Sequence, residues 1–146
     1  MDAARKHQRL DDAVAGMNAR DLDRYGSMFA LDVRVYAPGM SEPSIGRQAR
    51  VEWVADLLAG FPDAVVELTS DVFAGDRGCA EFRFTGTHTG PLKAAGGAIV
   101  APTGARVSFP YCIAYWYDDE DLATEIHEYF DQLELLAPLG LVGSAE

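Results

Sequence analysis

The spacing of apolar residues changes once along this chain, and that change constrains the fold more than any other feature. Up to about residue 60, apolar residues recur every three or four positions, as in amphipathic helices. From residue 64 onward, they alternate with polar residues, as in half-buried strands. Helices followed by strands predict an α+β domain in which the helices pack on one face of a curved, mainly antiparallel sheet.

Three helices are predicted in the first part of the chain. They cover residues 2–18, a shorter segment that starts at Asp21 and carries Phe29, and about residues 46–59. A short strand, Val33–Tyr36, is predicted between the second and third helices. Asp2 is the candidate N-cap of the first helix, and Asp21 starts the second.

The second part of the chain is predicted to contain strands and one long loop. The strands cover residues 64–73, 79–88, 105–117 and 122–132, and the loop covers residues 90–104. No internal repeat or linker interrupts the chain, so residues 1–146 are predicted to form a single domain. A bent sheet that faces helices leaves a conical cavity suited to a small apolar ligand.

The charge balance limits the partners that can be expected. Twelve basic against twenty-three acidic side chains give a net charge of −11, which disfavours nucleic acid and anionic membranes as partners. No apolar run approaches the roughly 20 residues that span a bilayer, and the N-terminus lacks the apolar core of a secretory signal. We therefore expect a cytoplasmic protein, in which Cys79 and Cys112 are free core thiols.

The last predicted strand carries different chemistry on its two faces. One face presents Ile126, Glu128 and Phe130, and the other presents His127, Tyr129 and Asp131. Neighbouring members of the second set lie roughly 6.5–7 Å apart along a strand. An imidazole, a phenol and a carboxylate on one face are a candidate catalytic set. The alternation alone does not say which face looks inward.

Several motifs resemble those of a known family when they are taken together and in order. They are A-L-D-V-R-V-Y (30–36), F-P-D-A (61–64), F-A-G-D-R-G-C-A-E-F-R-F-T-G-T-H-T-G (73–90), P-T-G-A-R-V-S-F (102–109) and Y-F-D-Q-L-E-L-L-A-P-L-G-L (129–141). The chain resembles the SnoaL-like polyketide cyclases of the NTF2-like superfamily. The resemblance implies a cone-shaped α+β barrel, a homodimer, and no metal or organic cofactor.

The same resemblance implies a class of reactions. Cyclases of this family close the last ring of aromatic polyketides by intramolecular aldol condensation, a lyase or isomerase type of step in antibiotic biosynthesis. Related members serve in hydroxylation steps, and many have no assigned activity. In the cyclases an aspartate near the end of the last strand is the general acid/base, and Asp131 matches that position.

An aldol cyclase needs a base for the proton alpha to a carbonyl and a donor for the oxygen that becomes negative. Burial in an apolar cone raises the pKa of a carboxyl group and makes its carboxylate a stronger base. Asp131 is therefore predicted as the catalytic base, with His127 as a second catalytic residue. The alternatives are a capping or surface-paired Asp131 and a partly exposed structural His127.

Other polar and aromatic side chains are predicted to contact the substrate, although each is also compatible with a purely structural position. They are His88, Tyr129, Tyr36, Trp53, Tyr111 and Tyr115. Together these rings could stack on a flat, small apolar or aromatic substrate.

Two other functions remain open at this point. One is a different NTF2-like enzyme, such as an isomerase, a dehydratase, a hydroxylation-step protein or an epoxide hydrolase. An epoxide hydrolase needs a second carboxylate and an arginine, for which the pairs are Asp32 with Arg34 and Glu81 with Arg83. The other is a non-catalytic ligand-binding homodimer, for which Trp116 and Phe130 suggest an open sheet face. No dinucleotide, phosphate-loop, zinc or serine-hydrolase motif is found, which favours cofactor-free acid/base chemistry or binding.

Overall fold

A curved sheet packed against helices forms the body of the molecule, of which the computed structural model describes residues 2–94 and 97–142. The helices are α1 (Ala3–Asn18), α2 (Leu22–Gly26), α3 (Arg47–Gly60) and α4 (Gln132–Leu136). The strands are β1 (Phe29–Tyr36), β2 (Ser44–Ile45), β3 (Val65–Ala74), β4 (Arg77–Thr87), β5 (Leu92–Lys93), β6 (Ile99–Val100), β7 (Arg106–Tyr117) and β8 (Ala123–Phe130).

Six of the strands form the main sheet, in the order β2-β1-β8-β7-β4-β3. Strand β1 runs parallel to β8, and the other neighbours are antiparallel. The register shifts within β1–β8, β3–β4 and β7–β8, and such irregularities bend a sheet. The predicted α+β fold with a curved, mainly antiparallel sheet is therefore confirmed.

The predicted helix starts are confirmed by their caps, but one helix end is not. Asp2 accepts hydrogen bonds from the first turn of α1, and Asp21 accepts one from the amide of Arg24 in α2. The second helix ends at Gly26, so Phe29 lies in β1, where it pairs with Ala123 of β8. Burial of the Phe29 ring in the core outweighed its helical spacing.

Two predictions in the second half need correction. The segment predicted as a loop over residues 90–104 contains a short hairpin, in which β5 pairs with β6; residues 95 and 96 lie outside the described part of the chain. The last strand ends at Phe130 rather than Gln132, because the side chain of Asp131 caps α4. The hairpin depends on strand pairing and α4 on a capping side chain, and the spacing of apolar residues predicts neither.

The core lies between the helices and one face of the sheet, which we call the inner face. It contains Leu10, Val14 and Met17 of α1, Val54 and Leu58 of α3, and Phe82, Phe84, Phe109 and Ile126 of the sheet. The opposite face, which we call the outer face, carries alternate residues of the same strands that are partly or fully exposed. The two faces therefore offer different environments to the same strand.

Candidate active site

A narrow cavity of about 50 Å³ opens between α3, α4 and the inner face. It is lined by Met17, Arg50, Trp53, Val54, Leu57, Val66, Phe84, Phe109, Tyr111, Glu128, Phe130 and Leu135. Ligand pockets commonly measure about 300–1,000 Å³, so a ring-sized molecule must displace side chains to enter. Trp53, Leu57 and Leu135 are only partly buried and can supply that movement.

A buried ion pair is the main polar feature of this cavity. Arg50 comes from α3 and Glu128 from β8, and these side chains are 3% and 5% exposed. The Arg50 Nη1 and Nη2 atoms donate to Glu128 Oε2 and Oε1 at 3.0 and 3.2 Å. This bidentate geometry fixes the planes of both groups. The cavity wall thus holds a charged pair at a defined position.

Two aromatic side chains fix the guanidinium of Arg50. Its Nε donates to the hydroxyl of Tyr25 at 3.0 Å, and its Cζ lies 4.8 Å from the ring centroid of Trp53. Burial lowers the pKa of Arg50, but Glu128 and Tyr25, through charge and hydrogen bonds, together outweigh burial and raise it. Arg50 is therefore a permanent positive charge in the cavity wall.

Two phenols accompany this pair. Burial raises the pKa of Tyr25 and raises that of Tyr111 well above its ordinary value. Both side chains therefore keep their hydroxyl protons at neutral pH. Tyr111 itself lines the cavity, and its neutral hydroxyl can donate a hydrogen bond.

The predicted substrate-contacting residues separate into two groups. Trp53 and Tyr111 line the cavity, as predicted. Tyr115 is 1% exposed and belongs to the packed core, where its ring stacks on Tyr117. Tyr36 packs against His127 on the outer face, with the two rings tilted by 52°. Neither ring lines the cavity: Tyr36 lies on the outer face, and Tyr115, although on the same face of β7 as Tyr111, is enclosed in the core farther along the strand.

The face of β8 that carries the predicted catalytic set is the outer face. Tyr129 is 59% exposed. His127 lies between the rings of Tyr36 and Trp116, and its Nε2 is 3.0 Å from Glu125 Oε2. Asp131 is exposed, and its Oδ1 accepts from the amide of Leu133 as the N-cap of α4. None of the three lines the cavity described above, so their positions do not support the predicted roles.

His88 directly follows β4 and is fully buried, but it does not line the cavity. Its Nδ1 accepts from the backbone amide of Thr103 at 3.2 Å and lies 2.9 Å from the Thr103 hydroxyl. The ring also packs against Phe61. His88 therefore fastens the loop that precedes β7, and its position away from the cavity does not support the predicted contact with substrate.

The residues that sequence reasoning missed are Arg50 and Glu128. Glu128 shares its strand face with Ile126 and Phe130, so an acidic residue on an apolar face was a readable signal. Arg50 lies one turn before Val54 on the apolar side of α3. Two residues of opposite charge, each at an apolar-face position, indicate a buried ion pair, because an isolated buried charge is strongly unfavourable.

Comparison with solved structures gives the fold class. AclR of Streptomyces galilaeus, described as a candidate hydroxylase, is 24% identical, with a TM-score of 0.79 over 97% of this chain and 100% of its own. IdmH of Streptomyces antibioticus, described as a candidate polyketide cyclase, is 22% identical, with a TM-score of 0.75 over 92% and 98%. An NTF2-like protein of Burkholderia pseudomallei is 14% identical, with a TM-score of 0.72 over 92% and 96%. The fold is therefore NTF2-like.

The family follows from the sequence itself. A family model described as SnoaL-like polyketide cyclase matches residues 6–139. The chain belongs to the SnoaL-like polyketide cyclase family, as its motifs indicated. No curated protein matches the sequence.

Two further findings concern the described residues. Over residues 2–94 and 97–142, no helix is long and apolar enough to cross a membrane. Within the same ranges, no three side chains of His, Cys, Asp or Glu come together as metal ligands.

Proposed function

We propose that this chain is a cofactor-free acid/base enzyme of the polyketide cyclase type, acting on an enolisable apolar small molecule in the inner cavity. The observation that carries the proposal is the Arg50–Glu128 pair in an otherwise aromatic and aliphatic wall. Aldol chemistry requires a proton acceptor and a stabilised enolate oxygen within one site. The pair supplies a carboxylate and a fixed positive charge together.

Glu128 is the proposed proton acceptor. An ionised carboxylate has about four lone-pair sites, and Arg50 occupies one on each oxygen of Glu128. The remaining sites can accept a proton from carbon. The bidentate contact keeps the carboxylate in one orientation, which favours proton transfer by limiting reorganisation.

Arg50 and Tyr111 are the proposed stabilisers of the enolate oxygen. The guanidinium has five N–H donors, and three of them are used by Tyr25 and Glu128. Two donors therefore remain beside Trp53. The neutral hydroxyl of Tyr111, on the neighbouring strand β7, adds another donor. Trp53 and Phe109 supply flat walls for a ring-shaped substrate.

The experiment uses 2-tetralone, an enolisable bicyclic ketone, as a probe. We expect the protein to accelerate exchange of its alpha hydrogens for deuterium in heavy water, measured by proton NMR. Denatured protein at the same concentration and buffer alone are the controls. Exchange no faster than in those controls contradicts the proposal.

Other enzyme chemistries find less support. Of the described residues that line the cavity, Glu128 is the acidic one, whereas an epoxide hydrolase needs two carboxylates. Arg34 is half exposed and lies 3.7 Å from Glu125, and Arg83 donates to Ser108. Neither pair suggested by the sequence converges on the cavity. Isomerase and dehydratase chemistry would use the same base and remain alternatives.

A non-catalytic ligand-binding module is the second candidate. The small cavity volume and the exposed position of Asp131 favour it. The buried pair favours the enzyme, because a purely apolar binder has no need of an internal charge. Binding of 2-tetralone without deuterium exchange would support the module.

We also propose a cytoplasmic homodimer with a role in antibiotic biosynthesis. The family membership supports the pathway class, and Trp116 and Tyr129 give the outer face aromatic surface. Phe130, which was expected to form an open sheet face together with Trp116, instead lines the cavity. Sedimentation equilibrium distinguishes a dimer from a monomer.

A further inference from the structure

The two cysteines, expected to be free core thiols, are neighbours on the outer face of the sheet. Cys79 lies in β4 and Cys112 in β7, and their Sγ atoms are 3.2 Å apart. In the antiparallel register Cys79 faces Ala114 and Cys112 faces Glu81, so the cysteines are diagonal neighbours. Both are free and partly exposed. The proposed acid/base chemistry uses neither of them.

The distance between the sulfurs is suited to oxidation. A disulfide has an S–S length of about 2.05 Å, so the two atoms must approach by roughly 1 Å from 3.2 Å. Diagonal residues on neighbouring strands are farther apart than directly opposed ones. Closure therefore requires the two side chains to rotate or the two strands to shift, and a disulfide at this partly exposed position is open to reduction.

We propose that Cys79 and Cys112 form a reversible oxidation site that reacts with small-molecule disulfides and closes an intramolecular bond between β4 and β7. One cysteine thiolate attacks a sulfur of oxidised glutathione and releases one glutathione thiolate. The second cysteine then attacks the mixed disulfide and releases the other glutathione. The protein loses two electrons and two protons, and one oxidised glutathione becomes two reduced molecules.

The surroundings of the pair determine how fast this occurs. Burial, the hydrogen bond with Cys79 and the nearby charge of Glu81 raise the pKa of Cys112 to about 11. Since the thiolate is the nucleophile, oxidation is slow at neutral pH and accelerates in alkaline solution. A slow reaction of this kind responds to sustained oxidising conditions rather than to brief exposure.

The bond also bears on the proposed active site. On their inner faces, β4 and β7 carry Phe84, Phe109 and Tyr111, which are part of the cavity wall. An outer-face disulfide fixes the separation of these two strands. We therefore expect the oxidised and reduced chains to differ in the rate at which they exchange the alpha hydrogens of 2-tetralone for deuterium.

The test incubates the reduced, full-length chain with oxidised glutathione, then traps free thiols with iodoacetamide and measures intact mass. We expect a product lighter by two hydrogen atoms, without free thiols, that dithiothreitol converts back. Digestion should give one linked peptide pair that contains both cysteines, and the rate should rise with pH.

The single variants Cys79→Ser and Cys112→Ser are matched controls of similar size. Each should stop at the mixed disulfide and gain one glutathione, because its partner thiol is missing. Stable glutathione adducts on the wild-type chain, disulfide-linked dimers, or unreacted thiols under alkaline oxidation would each overturn the proposal. These results are independent of whether 2-tetralone exchanges.

Discussion

On each of its faces, strand β8 presents one carboxylate that contacts a basic side chain. The two pairs differ mainly in how far they are buried. On the inner face Glu128 is bidentate with Arg50, and both are nearly inaccessible to solvent. On the outer face Glu125 lies 3.0 Å from His127, with side chains 30% and 28% exposed. The same kind of side-chain pair is thus buried in the cavity wall on the inner face and partly exposed to solvent on the outer face.

The difference in burial predicts a difference in energy. Removing one partner of a buried ion pair costs about 3–5 kcal/mol, because the other charge is left without solvent or counter-ion. Exposed pairs contribute about 0–1 kcal/mol. The contribution of a polar group on this strand to the free energy of unfolding therefore depends on the face it occupies more than on its residue type.

The largest effect is expected for Glu128→Ala. The substitution leaves the charge of Arg50 buried and unpaired, so the free energy of unfolding should fall by about 3–5 kcal/mol in urea denaturation. The double variant Arg50→Met/Glu128→Leu removes both charges and should recover most of that loss. A single-variant loss below about 1 kcal/mol would mean that the pair is solvated.

A second buried pair tests whether burial alone sets the magnitude. Lys6 of α1 lies 2.9 Å from Asp121, with side chains 1% and 4% exposed. Asp121→Asn should lower the free energy of unfolding by about 3 kcal/mol. Asn tolerates the left-handed backbone at this position, where φ is 60°, so the loss reports the charge.

This pair also predicts a pH dependence. The hydrogen bond from Lys6 lowers the pKa of Asp121 below its ordinary value. A lowered pKa stabilises the fold above the ordinary value, and that stability is lost as pH falls through the folded value. The stability difference between wild type and Asp121→Asn should therefore shrink in acid. A difference that grows in acid would contradict the assignment.

A smaller effect is expected at Asp131. Its side chain caps α4, so Asp131→Ala should cost about 1 kcal/mol. Asp131→Asn keeps a capping oxygen and should remain within a few tenths of a kcal/mol of wild type. Thermal unfolding of the two variants compares them directly, and equal losses would exclude the capping role.

The smallest effect is expected for the outer pair. Glu125→Gln removes the charge beside His127 and should change stability by about 0–1 kcal/mol. The change should diminish further in high salt, because exposed charges are screened. A loss as large as that of Glu128→Ala would overturn the distinction between the two faces.

Much of the fold could be predicted because its long elements repeat one pattern over many residues. Helices α1 and α3 and strands β3, β4 and β7 follow directly from periodicity and caps. The hairpin β5–β6 and the parallel pairing of β1 with β8 could not, because two-residue strands and long-range pairing leave little periodic signal.

The candidate site was less predictable than the fold. Alternation correctly separated Glu128 from His127 and Asp131, but it could not assign a direction to either set. Direction depends on which face the helices cover, and that is a tertiary property. Trp53 and Tyr111, whose aromatic rings suggested stacking on a flat substrate, line the cavity.

The central claim is that the working carboxylate lies inside the cone, at Glu128, and not on the outer face, at Asp131. The most direct measurement compares Glu128→Gln and Asp131→Asn in deuterium exchange of 2-tetralone, with circular dichroism to verify that both are folded. Loss of a general base lowers a rate by about 10²–10⁴-fold, so Glu128→Gln should lose exchange by at least 100-fold. Asp131→Asn should exchange at the wild-type rate. The opposite result, with exchange retained in Glu128→Gln and lost in Asp131→Asn, would contradict the account.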